Sequence, residues 1–201
     1  MPTKRQENAL KTKQKLIDTA SELISSGEFN DFNIEEITRT CGVAKGTFYT
    51  YFKNKEELSN VVCRNLFNKI IVRMQQMKDK SFSERLEHYF SSFMVEVERY
   101  DINICREWIR NVIDPKISGE GWDNSKWQFD IDMLNGILNK AIADGELKEN
   151  VPVELLTHIM ICELYGMMTC WCMSDGAFEP RKYTQKVFDL QIRPILNNYI
   201  I

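Results

Sequence analysis

Within seven positions the chain sets out Lys45, Thr47, Tyr49, Thr50 and Tyr51, with Lys55 close behind. All of these side chains donate hydrogen bonds to phosphate oxygens, and Lys or Thr can also reach base edges. The chemistry on offer is therefore the binding of a polyanion, not the making or breaking of bonds. Other candidates for chemistry are thin. The six cysteines (Cys41, Cys63, Cys105, Cys162, Cys170 and Cys172) form no Cys-x-x-Cys pair, and His88 lies far from His158. No metal site or cofactor is expected from that pattern. A Cys or His nucleophile would need a base, an orienting partner and a glycine-rich or strained turn, and none is visible. No enzyme is expected.

The elements that must position these donors can be read around them. Asn33 precedes Ile34-Glu35-Glu36. Its side chain can cap exposed amides while Glu36 reaches back, which predicts a helix over about 34–40. Gly42 can take the positive φ that ends such a helix. After Cys41-Gly42-Val43 the segment Ala44–Phe52 resumes helical spacing, with Phe48 and Phe52 four apart. Asn54 and Glu57 repeat the capping pattern and open a longer helix. Helix, short turn, helix is the spacing that lays a second helix in the major groove. Eight or nine residues span roughly 12 Å, close to the groove's width. Gly46 costs about 1 kcal/mol against Ala inside a helix, and a close approach of DNA to the backbone would explain it. Spacing alone leaves an ordinary helical corner equally open.

The 201-residue chain holds only 9 Gly and 5 Pro, with 43% apolar and 27% charged residues, which excludes disorder and low-complexity character. Its formal charge of −3 argues against a nucleic-acid binder only if it is uniform. It is not. Residues 1–55 carry nine Lys/Arg and seven Asp/Glu, whereas the remainder is acidic. The start MPTKRQENALK lacks an apolar stretch, so no signal peptide is expected. Buried-type spacing of most cysteines fits a reducing cytoplasm.

Elsewhere the apolar spacing predicts helices throughout. One runs through Leu16, Ala20 and Ile24, with Gly27 placed to stop it. The next begins at Asn54 and carries Leu58, Val62, Leu66, Ile70 and Met74. Ser81 and Glu84 should box the start of another, followed by a short helix over Ile102–Val112 that ends at Asp114-Pro115. Lys116–Asn124 reads as a loop, and Trp127–Ala141 as a helix. Pro152 opens a helix whose stretch Ile159–Met173 is apolar nearly all round, too short at fifteen residues to span a membrane and better suited to packing on two sides. The final helix, about Arg181–Tyr199, should kink at Pro194 or end its regular part there.

The run NIEEITRTCGVAKGTFYTYFKNKEEL, Asn33–Leu58, resembles the DNA-binding motif of the TetR family of transcriptional regulators, most specifically over Gly46–Leu58. The resemblance implies an all-α fold of about nine helices: a helix-turn-helix domain over 1–55 and a ligand-binding and dimerisation domain over 56–201. It puts Lys45 and Thr47 on bases, Tyr49 and Tyr51 on phosphates, and Thr50 and Gly46 on the same exposed face. Lys55 becomes a phosphate contact at a helix N-terminus. Asn33 stands where the family usually has Thr, and Ala44 where Ser is frequent, which removes a hydroxyl. Lys4, Arg5, Lys11 and Lys13 could add DNA contacts from a basic tail.

The same resemblance places a ligand pocket and a dimer interface in the C-terminal helices. Phe67, Phe90, Phe93, Met94, Cys105, Trp108, Trp122, Trp127, Met133 and Tyr165 offer aromatic and sulfur-rich walls, suited to apolar or flat cationic ligands. Met160, Glu163, Leu164, Met167, Met168, Trp171 and Phe188 are the interface candidates. The implied function is a ligand-responsive repressor. As a cytoplasmic homodimer, without membrane attachment, it would be released from a palindromic double-stranded operator by a small-molecule effector. The alternatives are an activator of the same fold without induction, or a helical interaction protein.

Overall fold

The computed structural model describes residues 3–25, 33–116, 121 and 125–201. Gly27, Trp122 and most of the expected loop Lys116–Asn124, named above, lie outside these. The described residues form helices α1 (Lys4–Ser25), α2 (Ile34–Cys41), α3 (Lys45–Tyr51), α4 (Lys55–Gln76), α5 (Phe82–Arg99), α6 (Ile102–Ile113), α7 (Lys126–Ala143), α8 (Val153–Met173), α9 (Pro180–Val187) and α10 (Arg193–Asn197). A π-helical turn, Phe188–Ile192, joins the last two.

The predicted caps do the local work. Asn33 Oδ1 accepts from the Glu36 amide at 2.8 Å, Asn54 Oδ1 from Glu57 at 2.8 Å, and Ser81 with Glu84 closes a full capping box. Each such cap is worth about 1 kcal/mol. Gly42 ends α2 at φ +66°.

α1 starts a dozen residues before its apolar stripe. Thr3 and Gln6 exchange hydrogen bonds at its first turn, so Lys4, Arg5, Lys11 and Lys13 ride on a solvent-facing helix and not on an extended tail. Lower down, α1 is fixed to α2: Lys15 Nζ donates to the Cys41 carbonyl at 2.6 Å, satisfying one of the open carbonyls at that helix end.

The irregularity expected at Pro194 takes the form of the π turn just before it. Pro194 has no N–H to give to Leu190, and its ring would crowd that carbonyl. Widening one turn, so that Arg193 N–H reaches Phe188 O, absorbs the mismatch.

α8 is longer than its apolar run. At 21 residues it is, by length and composition, a helix that could cross a membrane, so shortness does not exclude that role. Packing identifies it as a core helix instead: it lies against α5, α6, α7 and α9. Leu156, Met160, Ile161, Leu164, Met168 and Cys172 are buried within the chain.

Candidate functional site

The two-helix corner is built from the inside out. Phe48 is fully buried and Phe52 nearly so, their rings 5.6 Å apart, together with Ile37 and Leu58. Losing either aromatic would cost about 3–5 kcal/mol. That anchoring turns the opposite face of α3 to solvent. Lys45, Gly46, Tyr49 and Thr50 are exposed, as is Ala44 just before them; Thr47 and Tyr51 flank them half-buried. α3 is seven residues, roughly 10 Å, slightly shorter than expected. Thr50 Oγ1 donates to the Gly46 carbonyl at 3.3 Å. Ala44 gives α3 no side-chain cap, as the missing hydroxyl predicts.

A Cβ added at Gly46 would meet nothing within 4 Å. Nothing inside the protein requires glycine there. Lys45 is not free-standing: its ammonium pairs with the Glu35 carboxylate on α2, which holds the Lys45 ammonium above its ordinary range and Glu35 below its own. Lys55, half-buried, opens α4 beside its Asn54 cap. Asn33 is exposed, with its side chain committed to capping α2.

The predicted pocket residues divide. Phe67 and Phe93 stack at 4.4 Å between ring centres and, with Trp108 and Tyr165, wall a cavity of only about 10 Å³, barely room for a water molecule. Next to it, Trp127 and Tyr165 join Ile109, Val112, Ile113 and Thr169 around an apolar cleft of about 340 Å³. Phe90, by contrast, packs edge-on against Phe188 at 5.3 Å, and Met94 and Cys105 are fully buried structural core. Met133 is half-buried against the core. A larger surface groove of about 510 Å³ between α1 and α4 is as polar as it is apolar, with Gln14, Asp18, Asn65, Lys69 and Arg73 on its walls.

Sequence spacing missed the most unusual feature of this region. Lys126 and Asp130 form an ion pair with side chains only 5% and 6% exposed. Tyr165 donates to Asp130 Oδ2 at 2.6 Å. The ammonium also lies over the Phe67 ring, 5.1 Å from its centre. A signal did exist: 126, 130, 134, 137 and 141 share one face of α7, so both charges sit in inward register.

The interface candidates divide as well. Met160, Leu164, Met168 and Phe188 are buried in this chain's own core; Glu163, Met167 and Trp171 are half-buried. The outward face of α8 is a different stripe: Leu155, Cys162, Gly166, Cys170 and Met173 are exposed at helical spacing, with exposed Leu190 on the neighbouring π turn.

Comparison with known proteins gives the architecture its relatives. The pattern described as bacterial regulatory proteins, tetR family, matches residues 16–62, and that of the YsiA-like protein C-terminal region matches 125–194. The fatty acid metabolism regulator protein of Bacillus subtilis (strain 168) is 25% identical, covering 90% of this chain and 94% of that one. The biofilm operon icaADBC negative transcriptional regulator IcaR of Staphylococcus epidermidis is 29% identical over 44% of this chain and 49% of its own. Among solved structures, Bacillus subtilis FadR in complex with stearoyl-CoA superposes with a TM-score of 0.59 at 24% identity, covering 91% and 97% of the two chains. A TetR-family regulator from Mesorhizobium loti superposes over both full chains with a TM-score of 0.66 at 16% identity. With the helix-turn-helix in place, the buried Phe48–Phe52 anchor beneath it and both family patterns matched in order, the chain belongs to the TetR family of transcriptional regulators.

Proposed function

We propose that the chain works as a homodimeric repressor, holding a palindromic operator through α3 and releasing it when a long-chain acyl molecule enters the helical body. The observation that carries the DNA half is the outward face of α3, where donors surround a glycine that the protein's own packing leaves bare. Lys45 and Thr47 meet bases in this reading, Tyr49, Tyr51 and Lys55 meet phosphates, and Gly46 lets the backbone close on the duplex. Thr50 lines the same face. Asn33 and Ala44 border it.

Residues 1–55 form the reading head and 56–201 the body, with α4 running between them. The acyl half is supported by the regulator of fatty acid metabolism and by the FadR–stearoyl-CoA complex among the relatives. Apolar walls around Tyr165 agree with it. Dimerisation uses the exposed stripe of α8. Gly166, exposed and with 4 Å of open space around its missing Cβ, lets a partner helix come close. The site of action is the cytoplasm, where the operator is.

The test is selection of bound duplexes from a fragmented genomic library, followed by titration of the recovered complex with palmitoyl-CoA. The expected result is a two-fold symmetric site with half-sites about 34–36 Å apart and loss of the complex on titration. Binding without sequence preference at low salt would overturn the DNA half, and a complex indifferent to palmitoyl-CoA would overturn the effector half.

A further inference from the structure

We propose that Lys126 is the polar anchor of the effector cavity and that it selects a neutral carbonyl, of the ester or thioester type, over a free carboxylate. This rests on the acyl reading just given and adds what holds the acyl group and which of its chemical forms is accepted.

A buried ion pair is a poor way to stabilise a core, because desolvation offsets its attraction and an apolar replacement is often as stable. The pair on α7 sits where an apolar pair would fit, facing Phe67 of α4 and Phe129 of its own helix. Its surroundings point to a ligand. The small cavity beside it is lined by Cys63, Phe67, Phe93, Trp108 and Met168, with Asn60, Lys126 and Tyr165 as its polar residues. The lining includes Lys126 and leaves out Asp130. Of the two partners, the donor's residue borders the cavity and the acceptor's does not.

The donor has capacity left. Lys126 carries three N–H groups, and its hydrogen bonds go to the two oxygens of Asp130. Aromatic rings flank its remaining side. Asp130 is held in place by Tyr165, whose hydroxyl burial and the neighbouring carboxylate push well above its ordinary range, so it stays a donor. A carbonyl oxygen reaching the cavity can accept the remaining N–H while the Lys126–Asp130 pair stays intact. A carboxylate cannot do so on equal terms. The ammonium is already neutralised by Asp130, and a second anion would be buried beside that carboxylate.

The small cavity and the neighbouring cleft share Val112 and Tyr165 as lining residues. The small cavity has room for an acceptor atom the size of a water oxygen, and the cleft of about 340 Å³ beside it has room for an apolar chain.

The experiment uses two matched pairs of probes on the full-length protein, with binding read by calorimetry. Palmitoyl-CoA and its thioether S-hexadecyl-CoA differ in the carbonyl alone; methyl hexadecanoate and hexadecanoate differ at the head. Wild type should prefer thioester over thioether by about tenfold, the worth of one charge-assisted hydrogen bond, and ester over free acid by at least as much. Lys126→Met alone strands a buried carboxylate, so it is combined with Asp130→Asn, which keeps an acceptor for Tyr165. This double variant should show a native circular dichroism spectrum, retain operator affinity and lose the thioester preference, its ratio falling to near one. Equal binding of thioester and thioether by wild type overturns the proposal while leaving the acyl reading standing, as does tight binding of hexadecanoate. Failure of all four probes overturns both.

Discussion

Gly46 offers an unusually sharp test, because the two things it influences should move in opposite directions when it is changed. Gly46→Ala adds one methyl group to the second position of α3, where a Cβ finds open space within 4 Å. Inside a helix, Ala is favoured over Gly by about 0.5–1 kcal/mol, and close to the helix end the lower figure applies. For a chain of this size about 0.5 kcal/mol corresponds to a rise in Tm of roughly 1–2 °C. The same methyl group would stand between backbone and duplex, so operator affinity should fall by more than tenfold, about 1.4 kcal/mol or more. Scanning calorimetry gives the first quantity and fluorescence anisotropy on the selected operator the second. A variant that binds as tightly as wild type would refute the reason given for the glycine. A variant that melts lower would refute the claim that its surroundings are open.

Lys45→Ala should relax base preference at one position of each half-site, whereas Lys55→Ala should weaken all sites alike and lower the salt slope by about one; binding to a panel of single-base operator variants at several salt concentrations separates the two. Glu35→Gln releases Lys45 from its carboxylate partner, so non-specific DNA affinity should rise and the slope steepen, as read in the same titrations. Leu155→Glu with Met173→Glu, both on the exposed stripe of α8, should leave a folded monomer in sedimentation velocity, where wild type runs as a dimer. Cys162 and Cys170 should then be alkylated faster in that monomer than in wild type. Burial pushes the Cys63 thiol up to about 12 and Cys105 higher still. Raising the pH to 9 therefore yields little thiolate at either, and both should stay unmodified in native protein by mass spectrometry.

The DNA-reading corner was almost fully legible in the sequence because its signals are local. Asn33, Gly42 and Asn54 each act within four residues, and Phe48 with Phe52 reports the buried face directly. What escaped depended on contacts distant along the chain. α1 beyond Leu16 has no apolar stripe to reveal it; it is held by a Thr3–Gln6 cap and helix-favouring residues. α8 is apolar on every side, so spacing could not say which face turns inward, and Met160, Leu164 and Met168 went to the core instead of the surface. Lys126 and Asp130 look like an ordinary solvated i, i+4 pair until Tyr165, thirty-five positions on, covers them. Aromatic type alone did not separate cavity wall from packing: Phe93 lines a void, and Phe90, three positions away, does not.

α4 runs unbroken for 22 residues, from the Asn54 cap beside the reading head to Gln76 in the body, about 33 Å of rigid rod. A rod of that length multiplies small displacements. A tilt of about 5° about its far end carries the near end some 3 Å, close to the 3.4 Å rise of one base pair. Two such rods in a two-fold dimer move their heads in opposite senses, so the span between paired reading helices changes by about 6 Å against a half-site spacing of about 34–36 Å. No helix need melt and no core need be rebuilt. A tilt of a few degrees about the far end of α4 is enough to put two otherwise intact DNA-reading surfaces out of phase with the double helix.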